Sequence, residues 1–181
     1  MSKHDRDHRI EQGLRQVMAR HVASVAEVGW SVQAVFGDPE SGTPALAYTI
    51  GLSGKGLPDV LVLGLPVQHA SEILDGVARQ LVADASKASH GTLIHEVANL
   101  PLKVVAADQL HAQHFAKISQ DFAEAQGGDA TLVQILIPDI NGIFPGEPGC
   151  DPQIEAMQDL RLHLPAVEDE APRQTRREDD Q

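Results

Sequence analysis

Two histidines, His111 and His114, stand three residues apart in a stretch whose apolar residues recur at helical spacing. On a helix that spacing puts both imidazoles on one side, where they can share a metal ion. A third ligand must come from His90, His95 or an acidic residue delivered by the fold, because a competent metal site generally uses three protein ligands with outer support. The simpler alternative has His111 bordering an apolar stripe and His114 in solvent. Asp139 and Glu147 form a second set. Brought together across the loop between them, they suit general acid and base work. Asp139 also follows Pro138 and precedes Asn141-Gly142, a context in which an aspartate commonly receives backbone N–H bonds from its own turn.

A third set surrounds the only tyrosine. In Ala45–Leu52, Leu46, Tyr48, Ile50 and Leu52 alternate with Ala45, Ala47, Thr49 and Gly51. This is the period of a strand whose second face is small enough for close approach. Tyr48, Thr49 and Gly51, together with Asp139 and Asn141 of the later turn, are the expected ligand-binding residues. Other chemistries find no support. Ser53-Gly54-Lys55-Gly56 lacks the spacing of a phosphate loop and runs into Leu57-Pro58 instead of a helix. No serine has a nucleophile-elbow context, and Cys150 lies in a Pro/Gly-rich stretch with no histidine beside it.

These residues have to be positioned by ordinary elements. Asp7 to Val28 reads as an amphipathic helix ended by Gly29. Trp30 to Phe36 and Ala45 to Leu52 read as two strands that pair antiparallel. Val60-Leu61-Val62-Leu63 is apolar without alternation, the mark of a strand covered on both faces, and is expected at the centre of the sheet. Val67 to Ala83 is a second helix, and Thr92 to Val97 and Leu102 to Val105 are two short strands. A third helix, capped by Asp108, runs to the Gly127-Gly128 stop, and Leu132 to Ile137 is the last strand. The order predicts a single α+β domain: a mostly antiparallel sheet of five or six strands with three packed helices. Residues 1–28 supply a helix to that domain, residues 29–165 form its body, and 166–181 read as a polar tail.

Composition narrows the function classes. The net charge of −12 repels polyanions, and an aromatic content of 3% leaves few stacking platforms, so nucleic acid is not an expected partner. The longest apolar run, Val60 to Val67, is too short to span a bilayer, so a membrane is not expected either. A lone cysteine fits a reducing, cytoplasmic setting.

Several segments taken together resemble a known bacterial family. They are Gly29-Trp30, Tyr48-Thr49-Ile50-Gly51-Leu52, Leu57-Pro58-Asp59 leading into Val60 to Leu65, and Pro138-Asp139 followed by Gly142 and Phe144-Pro145. They resemble the domain of unknown function 4262 family over about Glu27 to Gly149. That family more often shows Glu at the position of Asp59, and Pro-Trp-Glu where this chain has Pro145-Gly146-Glu147, so an aromatic wall is missing here. The resemblance implies a fold and a set of positions, and carries no activity with it. The expectation is a non-catalytic module that binds a small molecule or a protein where the Tyr48 strand meets the Asp139 turn. The alternatives are a hydrolase using Asp139 and Glu147, with or without a metal, and a flavin- or nucleotide-binding barrel. The residues identify no cofactor. Homodimerisation through the first helix or the central sheet is compatible with the sequence, which offers no exposed-patch evidence for it.

Overall fold

The computed structural model of the protein describes residues 3–38, 40 and 44–163. The tail expected from Ala166 onward lies outside them. Helix α1 (Lys3–Val28) leads into strands β1 (Ser31–Val35), β2 (Leu46–Ile50) and β3 (Asp59–Leu63). Helix α2 (Val67–Ala83) and strands β4 (Leu93–Ile94) and β5 (Leu102–Ala106) follow. The chain continues through α3 (Gln109–Phe115), α4 (Lys117–Ala125), β6 (Leu132–Leu136) and α5 (Pro152–Gln158). The strands form one open sheet in the order β1-β2-β3-β6-β5-β4, with β3 and β6 parallel and every other pair antiparallel. β1 and β4 are its edges, so the barrel alternative does not describe this domain.

The expected antiparallel pairing of β1 with β2 is present, and the unalternating strand β3 is buried along its whole length in the middle of the sheet. Its two faces feed two cores. On one side Val60, Val62, Val104 and Ile135 pack under Leu74, Val77 and Leu81 of α2. On the other, Tyr48, Leu61, Leu63 and Leu132 pack under Ala112 and Phe122 of α3 and α4. α1 shares that second side, where buried His21 lies between Ser31 Oγ at 2.8 Å and Gln33 Oε1 at 3.0 Å. Each fully buried leucine contributes roughly 1.5–3 kcal/mol, so these side chains dominate the stability of the frame.

Three elements differ from expectation. The third helix is broken at Ala116, whose φ of −98° and ψ of 38° end α3 and restart the chain as α4. The bend is tied down from below: Ser119 donates to a buried carboxylate of β3, and the backbone at Ile118 hydrogen-bonds the Tyr48 phenol. α5 has no counterpart in the expected element order. Its signals are local: Asp151 accepts from the Gln153 backbone N–H as an N-cap, and Pro152 occupies the first turn. The strand expected over Thr92 to Val97 is cut to Leu93–Ile94, beyond which Glu96 takes a φ of 65° that no ladder accommodates.

Candidate functional site

One row of residues runs across the sheet: Gln33, Tyr48, Leu61, Gln134 and Val105 stand opposite one another on β1, β2, β3, β6 and β5. Over β1 to β3 that face is closed by helices. Over β6 and the end of β5 it opens into a cleft of about 340 Å³. Gln134 lies at its base, Ala106 and Asp108 come from the end of β5, and Pro145-Gly146 come from the loop after β6. Glu155 of α5 and Asp159, Leu160 and Arg161 just beyond it complete the lining.

Gln134 is 6% exposed and is the one polar residue in Leu132–Leu136. Its Nε2 donates to the Gln158 carbonyl at 2.6 Å, which fixes the orientation of the amide because a carbonyl cannot donate. Its Oε1 has no hydrogen-bond partner among the described residues and is not sealed in the core, so it presents an acceptor to the cleft that the side chain lines. Gln158 holds the opposite wall in place. Its Oε1 accepts from Ile137 N at 2.8 Å and its Nε2 donates to Ile137 O at 2.9 Å, the exchange a neighbouring strand would make. Beyond it, Arg161 donates through Nε and Nη2 to the two oxygens of Asp159 at 2.9 and 2.8 Å.

At the other rim Asp108 caps α3 by accepting from His111 N at 3.2 Å. His111 Nδ1 lies 3.0 Å from the same oxygen. The ring and then the backbone N–H of His111 hold the Asp108 carboxyl below its ordinary range. His114 turns away and meets the Phe115 ring edge-on with centroids 5.2 Å apart. Nδ1 of His90, one of the two histidines proposed as a third ligand, accepts from Ala106 N at 3.1 Å. Among the described residues, no group of three His, Cys, Asp or Glu side chains assembles that could hold a metal ion.

Asp139 is the centre of the loop that carries Pro145 and Gly146. Its Oδ1 accepts from Asn141 N at 2.8 Å and Ile143 N at 3.0 Å, and its Oδ2 accepts from Asp151 N at 3.0 Å. The Ile143 hydrogen bond, with help from those of Asp151 and Asn141, pulls its pKa below the usual carboxylate value. Asn141 itself is exposed at the loop tip. Glu147 forms an ion pair with Lys103 on β5 and accepts from Phe144 N at 3.2 Å, while Lys103 Nζ sits 4.1 Å over the Phe144 ring. The two carboxylates therefore share a loop in which each has its own partners. Cys150 is buried beside them. Burial, followed by the charges of Asp139, Glu155, Asp151 and Glu147, pushes its thiol pKa up.

The Tyr48 set lies elsewhere. Tyr48 is 1% exposed under α4, and burial pushes its phenol to about 12. Thr49 Oγ1 accepts from Val60 N at 2.8 Å and donates to Asp59 Oδ1 at 2.9 Å. That buried aspartate also accepts from Leu52 N at 3.1 Å and, through Oδ2, from Ser119 Oγ at 2.7 Å. Gly51, at φ 99°, faces Val25 of α1 so closely that a Cβ would lie 2.7 Å from a valine methyl. Tyr48, Thr49 and Gly51 line no part of the cleft, and Ser53 to Lys55 are wound into a 3-10 turn over Leu52–Lys55.

The cleft residues Gln134, Asp108, Glu155, Asp159 and Arg161 were not among the expected ligand-binding set. Gln134 carried a readable signal: an amide at an inward position of an otherwise apolar strand needs a buried partner or a ligand. Asp59 carried a similar one, opening a fully buried strand. Arg161 and Glu155 carried none, because only the fold folds α5 back over β6.

No helix among the described residues is long and apolar enough to cross a membrane. No curated protein and no solved structure matches the chain. A family described as Domain of unknown function (DUF4262) matches residues 24–151, which span β1 to β6, the Asp139 loop and the N-cap of α5. The protein therefore belongs to the DUF4262 family.

Proposed function

We propose that this domain is a non-catalytic binding module whose ligand, a small molecule, occupies the cleft over β6. The observation that carries the reading is Gln134: a residue 6% exposed whose amide nitrogen is committed to Gln158 and whose oxygen has no partner among the described residues. An acceptor at the base of an open cleft is met by a ligand donor or by an ordered water. The volume of about 340 Å³ falls at the small end of ligand pockets, which suits a compact metabolite. The remaining lining offers a few convergent polar groups on well-anchored walls, as small-molecule sites do.

The hydrolase alternative gains no support from the same geometry. Both oxygens of Asp139 accept backbone N–H bonds and Glu147 is engaged by Lys103 and Phe144 N, so neither is poised to take a proton from water. The Cys150 thiol is held protonated by burial and surrounding carboxylates, which is the opposite of nucleophile activation.

Thermal-shift screening of a library of small polar metabolites tests the proposal. A ligand raises the melting temperature with concentration as mass action requires, and the gain shrinks in Gln134→Met and Glu155→Gln, two residues that line the cleft. A library with no stabilising member, or hits indifferent to both substitutions, would rule the cleft out as the binding site.

A further inference from the structure

We infer that the occupant of this cleft is a small organic cation, an amine or guanidine compound, which donates N–H to Gln134 Oε1 and has its charge balanced by Glu155 and Asp108. The inference rests on the reading of the cleft as the ligand site and adds the ligand's chemistry. Three of the lining residues are carboxylates, Asp108, Glu155 and Asp159, against one cation, Arg161. That cation is spent: its two-point contact with Asp159 leaves the pair neutral, so the charge facing the cavity is that of Asp108 and Glu155. Glu155 makes no hydrogen bond or ion pair through its carboxylate among the described residues.

A second and independent feature points the same way. Gln134 Oε1 can only accept, so the atom that meets it must carry a hydrogen. An anion such as a carboxylate or phosphate would place acceptors against that acceptor and against two like charges. A neutral alcohol would satisfy Gln134 and leave the carboxylates unbalanced. An ammonium or guanidinium satisfies both, with the charge-assisted bonds that are the stronger kind. The surrounding potential agrees: the nearby Cys150 thiol is held protonated in part by Asp139, Glu155, Asp151 and Glu147, and the chain as a whole carries −12. Because so acidic a protein attracts cations over its whole surface, the test must separate the cleft from that background.

The experiment is a calorimetric and amide-NMR titration of the full chain at 150 mM salt, where diffuse surface attraction is largely screened. The probes are putrescine and agmatine, with 1,4-butanediol and succinate as neutral and anionic counterparts of similar length. The inference expects saturable binding of at least one amine, with shifts at the Gln134 side-chain amide and Gly146. Glu155→Gln should weaken that binding about three- to tenfold and Glu155→Lys should abolish it, as expected for one charge at contact distance. Glu72→Gln on α2, across the sheet, should leave it unchanged.

Succinate or butanediol binding as tightly as the amines, with shifts at the same residues, overturns the cationic assignment while the cleft stands as a binding site. Amine binding that is insensitive to Glu155→Lys, or that Glu72→Gln weakens equally, overturns it as general surface attraction. Failure of both amines to bind overturns it as well. If every probe and the wider metabolite library leave Gln134 and Gly146 unmoved, the reading of the cleft falls with it.

Discussion

Gln134 Nε2 donates to the Gln158 carbonyl at 2.6 Å, and through that bond a strand and a helix end position the base of the cleft. The same contact fixes which atom of the amide faces the cavity. Gln134→Met, which keeps the length and removes both polar atoms, should strip the cleft of its acceptor and leave the Gln158 carbonyl short of a partner. The expected cost is about 1–3 kcal/mol in chemical denaturation, together with loss of the binding seen in thermal-shift screening. Unchanged binding in a folded Gln134→Met protein would remove Gln134 from the account.

Asp59 makes the fold sensitive to pH. Burial, opposed by hydrogen bonds from Ser119, Thr49 and the Leu52 backbone, raises its pKa from 3.8 to about 6. A carboxyl whose folded pKa is raised is best tolerated when protonated. Its contribution is therefore complete below pH 3.8 and is lost as pH climbs through about 6. The loss is on the order of 2–3 kcal/mol. Asn keeps an acceptor for Thr49 and Leu52, and the Ser119 hydroxyl can rotate to accept from the new amide. Denaturation of Asp59→Asn and wild type at pH 4 and pH 7 should show the variant gaining relative to wild type at the higher pH. A constant difference would mean that Asp59 does not titrate in this range.

Gly51 tests the closed side of the sheet. Its φ of 99° disfavours any side chain, and an added Cβ would lie 2.7 Å from a Val25 methyl. Gly51→Ala should cost about 2–4 kcal/mol from backbone strain and the clash together. Gly54→Ala, where nothing lies within 4 Å of the added carbon, should cost well under 1 kcal/mol. Equal stability of the two variants would mean that α1 does not press on β2 as described.

Asp139 is read as the organiser of its loop. Asp139→Asn, which retains one carbonyl oxygen for Asn141 and Ile143, should melt higher than Asp139→Ala. Because hydrogen bonds lower its folded pKa, the ionised carboxylate stabilises the protein above 3.8, and that benefit fades as pH falls below it. The melting-temperature gap between wild type and Asp139→Ala should therefore narrow between pH 5 and pH 2. A gap that widens on acidification would contradict the assignment.

Much of the frame was legible in the sequence. Val67–Ala83 reads as a helix because its apolar residues fall on one stripe, and that stripe is the face buried against the sheet. Val60–Leu63 reads as central because it is apolar on both sides, and β3 lies between β2 and β6. The turn role of Asp139 was legible from Pro138 before it and Asn141-Gly142 after it. The cleft was not, because it depends on long-range placement. Tyr48 and Gln134 face the same side of the sheet with β3 between them, yet α4 covers one and leaves the other open. Periodicity reports which face is buried and cannot report which helix end stops short of covering it. The break at Ala116 is similar: alanine is a strong helix former, and the helix ends there because Ser119 and Ile118 are drawn to Asp59 and Tyr48.

The most direct measurement is a two-dimensional amide spectrum that follows the Gln134 carboxamide protons as a ligand from the metabolite screen is titrated in. The account predicts that these protons and the Gly146 amide shift together and saturate with one binding constant, while the amide of Gly51, enclosed under α1, stays still. Saturable shifts centred on Gly51 and Thr49, with Gln134 unmoved, would contradict it.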